Sequence, residues 1–372
     1  MLKNLFTAVT ALHYWTERSR NDGPKSEEFQ GYPRYDALQW CVDWGNSHHL
    51  TVKGHPLFWT VPKAIPEWLK RYDYATQLKF LEVRIRSITA RFRHKIRLYD
   101  IINEAMWEPA LRNLKDRQWP YLERVENWVP EIASLLEWAR SEDPDARYLV
   151  NEYGVVANDH TPIAVPAHDG TQVTPHRQLE RLIELLNALQ KNGTPPDAVG
   201  LQSHTGNWLT PASQWDTYDR ISNETGLPVH ITEFWAKRNA PHLDHLPEEE
   251  KDRVIEQYIV QVMTCAFAHP AVDAFFFWGV TDQLITFSND GGWELTPLYH
   301  RLYDLIHKKW RTCETLRTGA HGIVKCRCFT GDYQLRLCTE KGKRTAGKLT
   351  IPAGSTTYSC VHQLACRVKL QG

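Results

Sequence analysis

Short apolar or β-branched runs alternate with longer amphipathic stretches from the start of the chain to about position 310. The short runs are 5–10, 50–55, 96–103, 147–152, 198–203, 228–233 and 274–279, and several are apolar throughout. Continuous apolar runs of this length are what strands buried on both faces require. The stretches between them, about 36–48, 74–92, 130–142, 176–191, 213–224, 248–268 and 296–309, have helical spacing, with Pro130, Pro144 and Pro270 marking ends. Alternation of strand and helix predicts a parallel sheet joined by helical crossovers. Seven repeats over this length suit a (β/α) barrel better than a doubly wound sheet, and no Gly-rich phosphate loop follows the first run.

Past 310 the pattern shortens. The runs 323–329, 333–339 and 348–351, broken by Gly331-Asp332 and Lys341-Gly342-Lys343, predict a small all-β extension over 311–372. A turn at Gly331-Asp332 would set Cys328 opposite Leu335 and Cys326 opposite Leu337, putting the cysteines on the apolar face. Six of the eight cysteines fall at or after Cys313, including Cys338, Cys360 and Cys366. Their spacing fits no zinc pattern, so they read as buried free thiols acting as small hydrophobes. One disulfide stays open, because pairing cannot be read from spacing.

Composition narrows the classes. The chain has 372 residues, with 42% hydrophobic and 24% charged, which excludes disorder and coiled coil as the main state. Lys+Arg and Asp+Glu are both 44, so the basic face of a nucleic-acid binder is not expected. No apolar run reaches the roughly 18 residues of a membrane helix. Residues 1–12 faintly resemble a signal peptide, but His13, Tyr14 and Trp15 follow with no small-residue cleavage site, so a strand is the better reading. The 15 Trp could be core or could cover sugar faces.

In a barrel of parallel strands, chemistry sits where strands end and loops begin. The expected strand ends carry Lys53-Gly54-His55, Asn103-Glu104, Gln202-Ser203-His204, Thr232-Glu233 and Trp278, with Trp59 shortly after His55. Two carboxylates on facing strand ends are what cleavage of a glycosidic bond needs, one to protonate the leaving oxygen and one to attack or to activate water. Each Glu alone is a weak signal, since a strand-end carboxylate is more often solvated or salt-bridged.

The runs Lys53-Gly54-His55-Pro56-Leu57-Phe58-Trp59, Tyr99-Asp100-Ile101-Ile102-Asn103-Glu104-Ala105, Asn151-Glu152-Tyr153, Gly200-Leu201-Gln202-Ser203-His204, His230-Ile231-Thr232-Glu233 and Phe277-Trp278-Gly279-Val280-Thr281-Asp282 occur in an order that resembles glycoside hydrolase family 10, mainly endo-β-1,4-xylanases. The resemblance covers roughly residues 5 to 310. It implies a TIM-type (β/α)8 barrel and a retaining mechanism on xylan or a related β-1,4-linked plant polysaccharide. Glu104 matches the acid/base and Glu233 the nucleophile, with carboxyls roughly 5–5.5 Å apart. Asn103 would hold the sugar 2-hydroxyl. Gln202 and His204 would orient the nucleophile and the neighbouring sugar, and His55, Trp59 and Trp278 would shape the cleavage subsite. Repulsion from ionised Glu233 is expected to keep Glu104 protonated. No metal or cofactor, no nucleic acid or membrane partner, and a monomer are expected; the family implies an extracellular or periplasmic protein.

Three departures stand out. If Glu104 closes the family's fourth strand, then 5–10 is the second, and the first has no counterpart in this sequence; a truncated start is expected. Ala11 and Tyr14 stand where the family has an Asn and a Lys, so binding there would rely on stacking by His13, Tyr14 or Trp15. Thr60 stands where a His follows the Trp, and Phe287 where a late Trp is usual. These leave two alternatives: another retaining β-glycosidase acting on a β-glucan, or a catalytically impaired carbohydrate-binding protein. Tyr333 and Tyr358 offer no evident sugar platform, so a structural role is expected for the extension.

Overall fold

The computed structural model describes residues 2–16, 26–106, 111, 125, 128–156, 165–166, 172–205, 209–236, 238, 240–281, 283–288, 290–321, 323–338 and 344–351. The chain divides into two compact units, Met1–Phe287 and Ser288–Gly372.

Among the described residues, the main sheet of the first unit has a path of seven parallel strands, with the short strand His204–Thr205 pairing off it: β1 (Ala8–Leu12), β2 (Thr51–His55), β3 (Leu98–Asn103), β4 (Arg147–Glu152), β5 (Ala198–Leu201), β6 (Val229–Ala236) and β7 (Val272–Phe277). They lie side by side in chain order. β1 and β7 end the path, and Phe6, just before β1, meets Phe277 of β7 with ring centroids 6.0 Å apart. The array is a nearly closed barrel on the (β/α)8 plan. Its helices are α1 (Asp36–Ser47), α2 (Tyr74–Arg91), α3 (Val129–Glu142), α4 (Pro175–Lys191), α5 (Pro211–Thr225) and α6 (Glu248–Ala268).

Local chemistry sets these helix ends. Thr174 and Thr210 accept N-cap bonds from Arg177 and Ser213, each followed by proline at the first helical position. Asp73 caps α2 through the Thr76 N–H. α5 stops at Gly226, whose φ of 69° a Cβ would resist. Glu248, Glu249 and Glu250 occupy the first turn of α6, where the helix dipole favours negative charge.

A layer of Leu98, Leu149, Ala198 and Phe276, flanked by Ala8 and Ala274, packs inside the barrel. Toward the C-terminal strand ends the interior turns polar, and two irregularities make this possible. Side chains alternate along a strand, so Asp100 and Asn103 should face opposite ways. The β3–β4 register shifts between Asp100 and Ile102, and the extra residue brings both side chains inward. A second shift lies between Phe275 and Phe277, opposite Ile231 and Phe234, and it lets Thr232 and Glu233 both reach Asn151. Arg84 of α2 ties the loops together, donating to the carbonyls of Leu57 and His13. Burial pulls its pKa down to about 10, so it stays charged at neutral pH.

The second unit holds α7 (Pro297–Asp304), capped by Thr296, and an antiparallel hairpin of β8 (Gly331–Cys338) and β9 (Arg344–Ile351). This corrects the expected hairpin. Gly331 and Asp332 do not turn; they pair with Ile351 and Thr350, and the Asp332 carboxylate accepts from the Thr350 hydroxyl at 2.6 Å. The register pairs Leu335 with Gly347 and Leu337 with Thr345, not with cysteines, and 323–329 is not a strand. Cys313, Cys326 and Cys338 are exposed and Cys328 is half-buried, all as free thiols, so they are not core hydrophobes. Cys360, Cys366, Tyr358 and the turn at Lys341-Gly342-Lys343 lie outside the described residues. Among the described residues, no helix is long and apolar enough to cross a membrane.

Candidate active site

The strand ends bring all eight expected residues to one end of the barrel. His55 ends β2, Asn103 ends β3 with Glu104 next, Gln202 and His204 follow β5, Glu233 lies in β6, and Trp278 follows β7. Trp59, in the loop after β2, bridges to Asn103.

Hydrogen bonds join the two carboxyl groups through three amides. The Gln202 amide donates to Glu104 Oε1 at 2.8 Å and to Asn103 Oδ1 at 3.1 Å. The Asn151 amide donates to the same Asn103 oxygen at 2.7 Å and to Glu233 Oε1 at 2.9 Å. Asn151 is itself oriented by the Thr232 hydroxyl, which donates to its Oδ1 at 2.6 Å. Gly200 makes room for this: a Cβ there would lie 2.3 Å from the Asn151 oxygen.

The surroundings drive the carboxyls in opposite directions. Burial raises the Glu104 pKa, opposed by bonds from Gln202 and Trp59, with the Glu233 charge adding a smaller push. The expected cause, repulsion by Glu233, is therefore secondary; the low-dielectric site does most of it. Burial also acts on Glu233, but His55, His204 and Lys53 outweigh it and hold that carboxyl below its usual value. His204 Nε2 lies 3.0 Å from Glu233 Oε2, and His55 Nδ1 lies 3.7 Å from Oε1.

Beneath them lies a charge pair. Lys53 is fully buried and paired with fully buried Asp100, whose Oδ2 also lies 2.6 Å from His55 Nδ1. The Lys53 and His55 contacts overcome the burial penalty on Asp100 and depress its pKa. His55, Asp100 and Glu233 also offer one ligand atom each within 4.8 Å, the one buried set of that kind among the described residues. The Lys53 ammonium already provides the positive charge that a cation would bring there.

Glu104 has left-handed backbone (φ 58°), as does Ser203 (φ 59°). For a residue with a Cβ this costs about 1–2 kcal/mol. It persists because neighbours hold it: the Glu104 N–H donates to the Asn151 carbonyl at 3.0 Å, and the Thr60 hydroxyl donates to the Glu104 carbonyl at 2.8 Å. The Trp59 indole donates to Glu104 Oε2 at 2.8 Å.

The aromatic wall is less than expected. Trp278 packs edge-on to His55 and His204, with centroids 5.2 and 5.9 Å away. Tyr14 lies beside the site, 5.3 Å from the Trp59 ring and 5.9 Å from His55. His13 and Trp15 do not serve as stacking surfaces: they are 1% and 4% exposed, and Trp15 bonds Glu27. Ala11 is fully buried and Phe287 is 60% exposed.

Lys53, Asp100, Asn151 and Thr232 belong to the site but are not picked out by a search for strand-end carboxylates. Lys53 and Asp100 sit two and three residues before the strand ends, inside runs that read as apolar. A charged residue in a strand buried on both faces was the available signal.

A nearly closed parallel barrel gathers two carboxyls with opposed pKa shifts over a buried amide network at its strand ends, which makes this end the candidate active site. A family model described as glycosyl hydrolase family 10 matches residues 24–285. The chain belongs to glycosyl hydrolase family 10. It is similar to anti-sigma-I factor RsgI6 of Acetivibrio thermocellus, 22% identical over 91% of this chain and 40% of that protein. It is also similar to endo-1,4-beta-xylanase 2 of Arabidopsis thaliana, 23% identical over 89% of this chain and 27% of that protein. The chain thus spans well under half the length of these curated relatives. Among solved structures, xylanase 10B from Thermotoga petrophila RKU-1, in complex with xylobiose, superposes with TM-score 0.57 at 19% identity, covering 82% of this chain and 95% of that one. That likeness bears on the fold.

Proposed function

We propose that the chain is a retaining endo-glycosidase that cleaves β-1,4 linkages in xylan or a related plant polysaccharide. The observation that carries this reading is the opposed pKa shifts of Glu104 and Glu233 in one hydrogen-bonded network. The shift of Glu104 favours the protonated form that a general acid needs, and that of Glu233 the ionised form that a nucleophile needs. In the first step a Glu233 oxygen attacks the anomeric carbon, and the C–O bond to the leaving sugar breaks as Glu104 gives that oxygen its proton. In the second, ionised Glu104 takes a proton from water, whose oxygen attacks the same carbon and releases Glu233. Asn103 supplies the amide for the sugar 2-hydroxyl, His55 and His204 keep Glu233 ionised, and Trp59, Trp278 and Tyr14 form the apolar border. The xylanases among the relatives and the family membership favour xylan; Tyr14 and Ala11 in place of the family's polar pair keep a β-glucan as the second reading.

Hydrolysis of xylan beside β-glucan, wild type against Glu233→Ala, with melting curves for both, tests this. Xylo-oligosaccharide release abolished in a mutant that melts normally is expected. Release from glucan alone would move the substrate to the second reading. Glycan binding without turnover by a folded wild type would sink the hydrolase reading.

A further inference from the structure

Glu152 ends β4 with no exposed surface, and the two-step reaction leaves it without a part. Its side chain nevertheless grips the acid/base turn. Oε2 accepts from the backbone N–H of Met106, two residues past Glu104, at 3.1 Å, and Oε1 accepts from the N–H of Tyr153 at 3.1 Å. Its carbonyl accepts from the Gln202 N–H at 3.0 Å, and Gln202 is the residue whose amide donates to Glu104 Oε1. The preceding residue, Asn151, takes the Glu104 N–H. Glu152 thus holds the far side of the left-handed turn at Glu104 and the base of the amide that orients its carboxyl.

We propose that Glu152 is a positioning residue that aims the Glu104 carboxyl at the leaving oxygen. The inference rests on Glu104 being the acid/base. A neutral carboxyl suits this task, because a second buried negative charge beside Glu104 would oppose the ionised state that Glu104 needs in the second step. Burial, helped by the Glu104 charge, pushes the Glu152 carboxyl well above the usual range. A left-handed residue reverts to ordinary backbone unless its neighbours over-determine it, and loss of the Met106 tether removes one of three restraints.

The test compares leaving groups. An aryl β-xylobioside with a dinitrophenolate leaving group needs no proton in the first step, whereas a xylo-oligosaccharide does, and kcat/KM reports that step for both. Glu152→Ala, and the isosteric Glu152→Gln as the variant that best preserves packing, are measured with circular dichroism and melting curves. The expected result is a fall on the order of 10²-fold on the oligosaccharide, as for a reacting group displaced by about 1 Å, with the aryl substrate changed by less than about threefold. Equal losses on both substrates in a folded variant would show a general structural role and overturn the proposal, as would no loss on either. A wild type inactive on both xylosides and on the matching aryl cellobioside and cello-oligosaccharide would overturn the hydrolase reading, and this inference with it; a wild type active on either pair with equal losses in the variants overturns this inference alone.

Discussion

Removing the His204 ring should move the acidic side of the pH profile upward. Its Nε2 lies 3.0 Å from Glu233 Oε2, and an ionised carboxylate can only accept, so the imidazole N–H donates. A hydrogen bond to a charged partner contributes about 1.5–3 kcal/mol. At about 1.36 kcal/mol per pKa unit that is roughly 1–2 units. His204 is 26% exposed on its side chain, and water will replace part of the bond, so the low end is expected, about 1 unit. The sign follows from the species required. His204 stabilises ionised Glu233; without it Glu233 protonates at higher pH and stops being a nucleophile. In His204→Ala the acidic limb of kcat/KM on a soluble xylo-oligosaccharide should therefore rise by about one pH unit. The alkaline limb, set by Glu104, should hold, since burial dominates there. Circular dichroism across the same pH range separates titration from unfolding. An acidic limb that stays in place in a folded variant would refute the argument that His204 keeps Glu233 ionised.

Trp59→Phe removes the 2.8 Å bond that favours ionised Glu104, so the alkaline limb should move to higher pH, the opposite limb from His204→Ala. Lys53→Met leaves Asp100 buried without its ammonium and should cost about 3–5 kcal/mol in urea unfolding at neutral pH. Asp100 is depressed in the wild type, so its contribution is present above the unfolded pKa, about 3.9, and is lost as pH falls through the folded value. The deficit of Lys53→Met should therefore shrink as the pH drops below about 4; a pH-independent deficit would contradict the ion-pair account. Gly200→Ala drives a Cβ to 2.3 Å from the Asn151 oxygen and should cost about 1–3 kcal/mol by overpacking, with activity lost because Asn151 bridges Asn103 and Glu233. A normal melting point with full turnover would show that Asn151 can shift freely.

The strand–helix alternation was legible because its cause is local and repetitive. Apolar runs long enough for buried strands, and prolines marking helix ends, each act through neighbours in the chain. β4 matches its expected bounds, and the other strands and helices lie within a few residues of theirs. The meeting of Glu104 and Glu233 at one end was legible for a related reason: a barrel collects strand ends, so polar residues at the ends of apolar runs are brought together whatever lies between them.

The rest needed three dimensions. Register shifts opposite Asp100 and beside Glu233 reverse which face a side chain takes, and no count along the sequence predicts where an extra residue will be absorbed. Whether Lys53 is a surface charge or half of a buried ion pair depends on Asp100, 47 positions away. The shift of Glu104 is mostly desolvation, a property of everything packed around it, whereas the sequence offers only the one charged neighbour that can be named in advance. The C-terminal hairpin failed from the sequence for the converse reason. Gly331-Asp332 has turn chemistry, but pairing with Thr350 and Ile351 satisfies it in a ladder, and a pairing partner is chosen by competition among segments rather than by the residues of one turn. Sequence alone determined the order of elements and which chemistry meets at the barrel's end; tertiary structure decided which side chains face inward, which charges lose water, and in which direction each carboxyl is shifted, because those depend on distance through space.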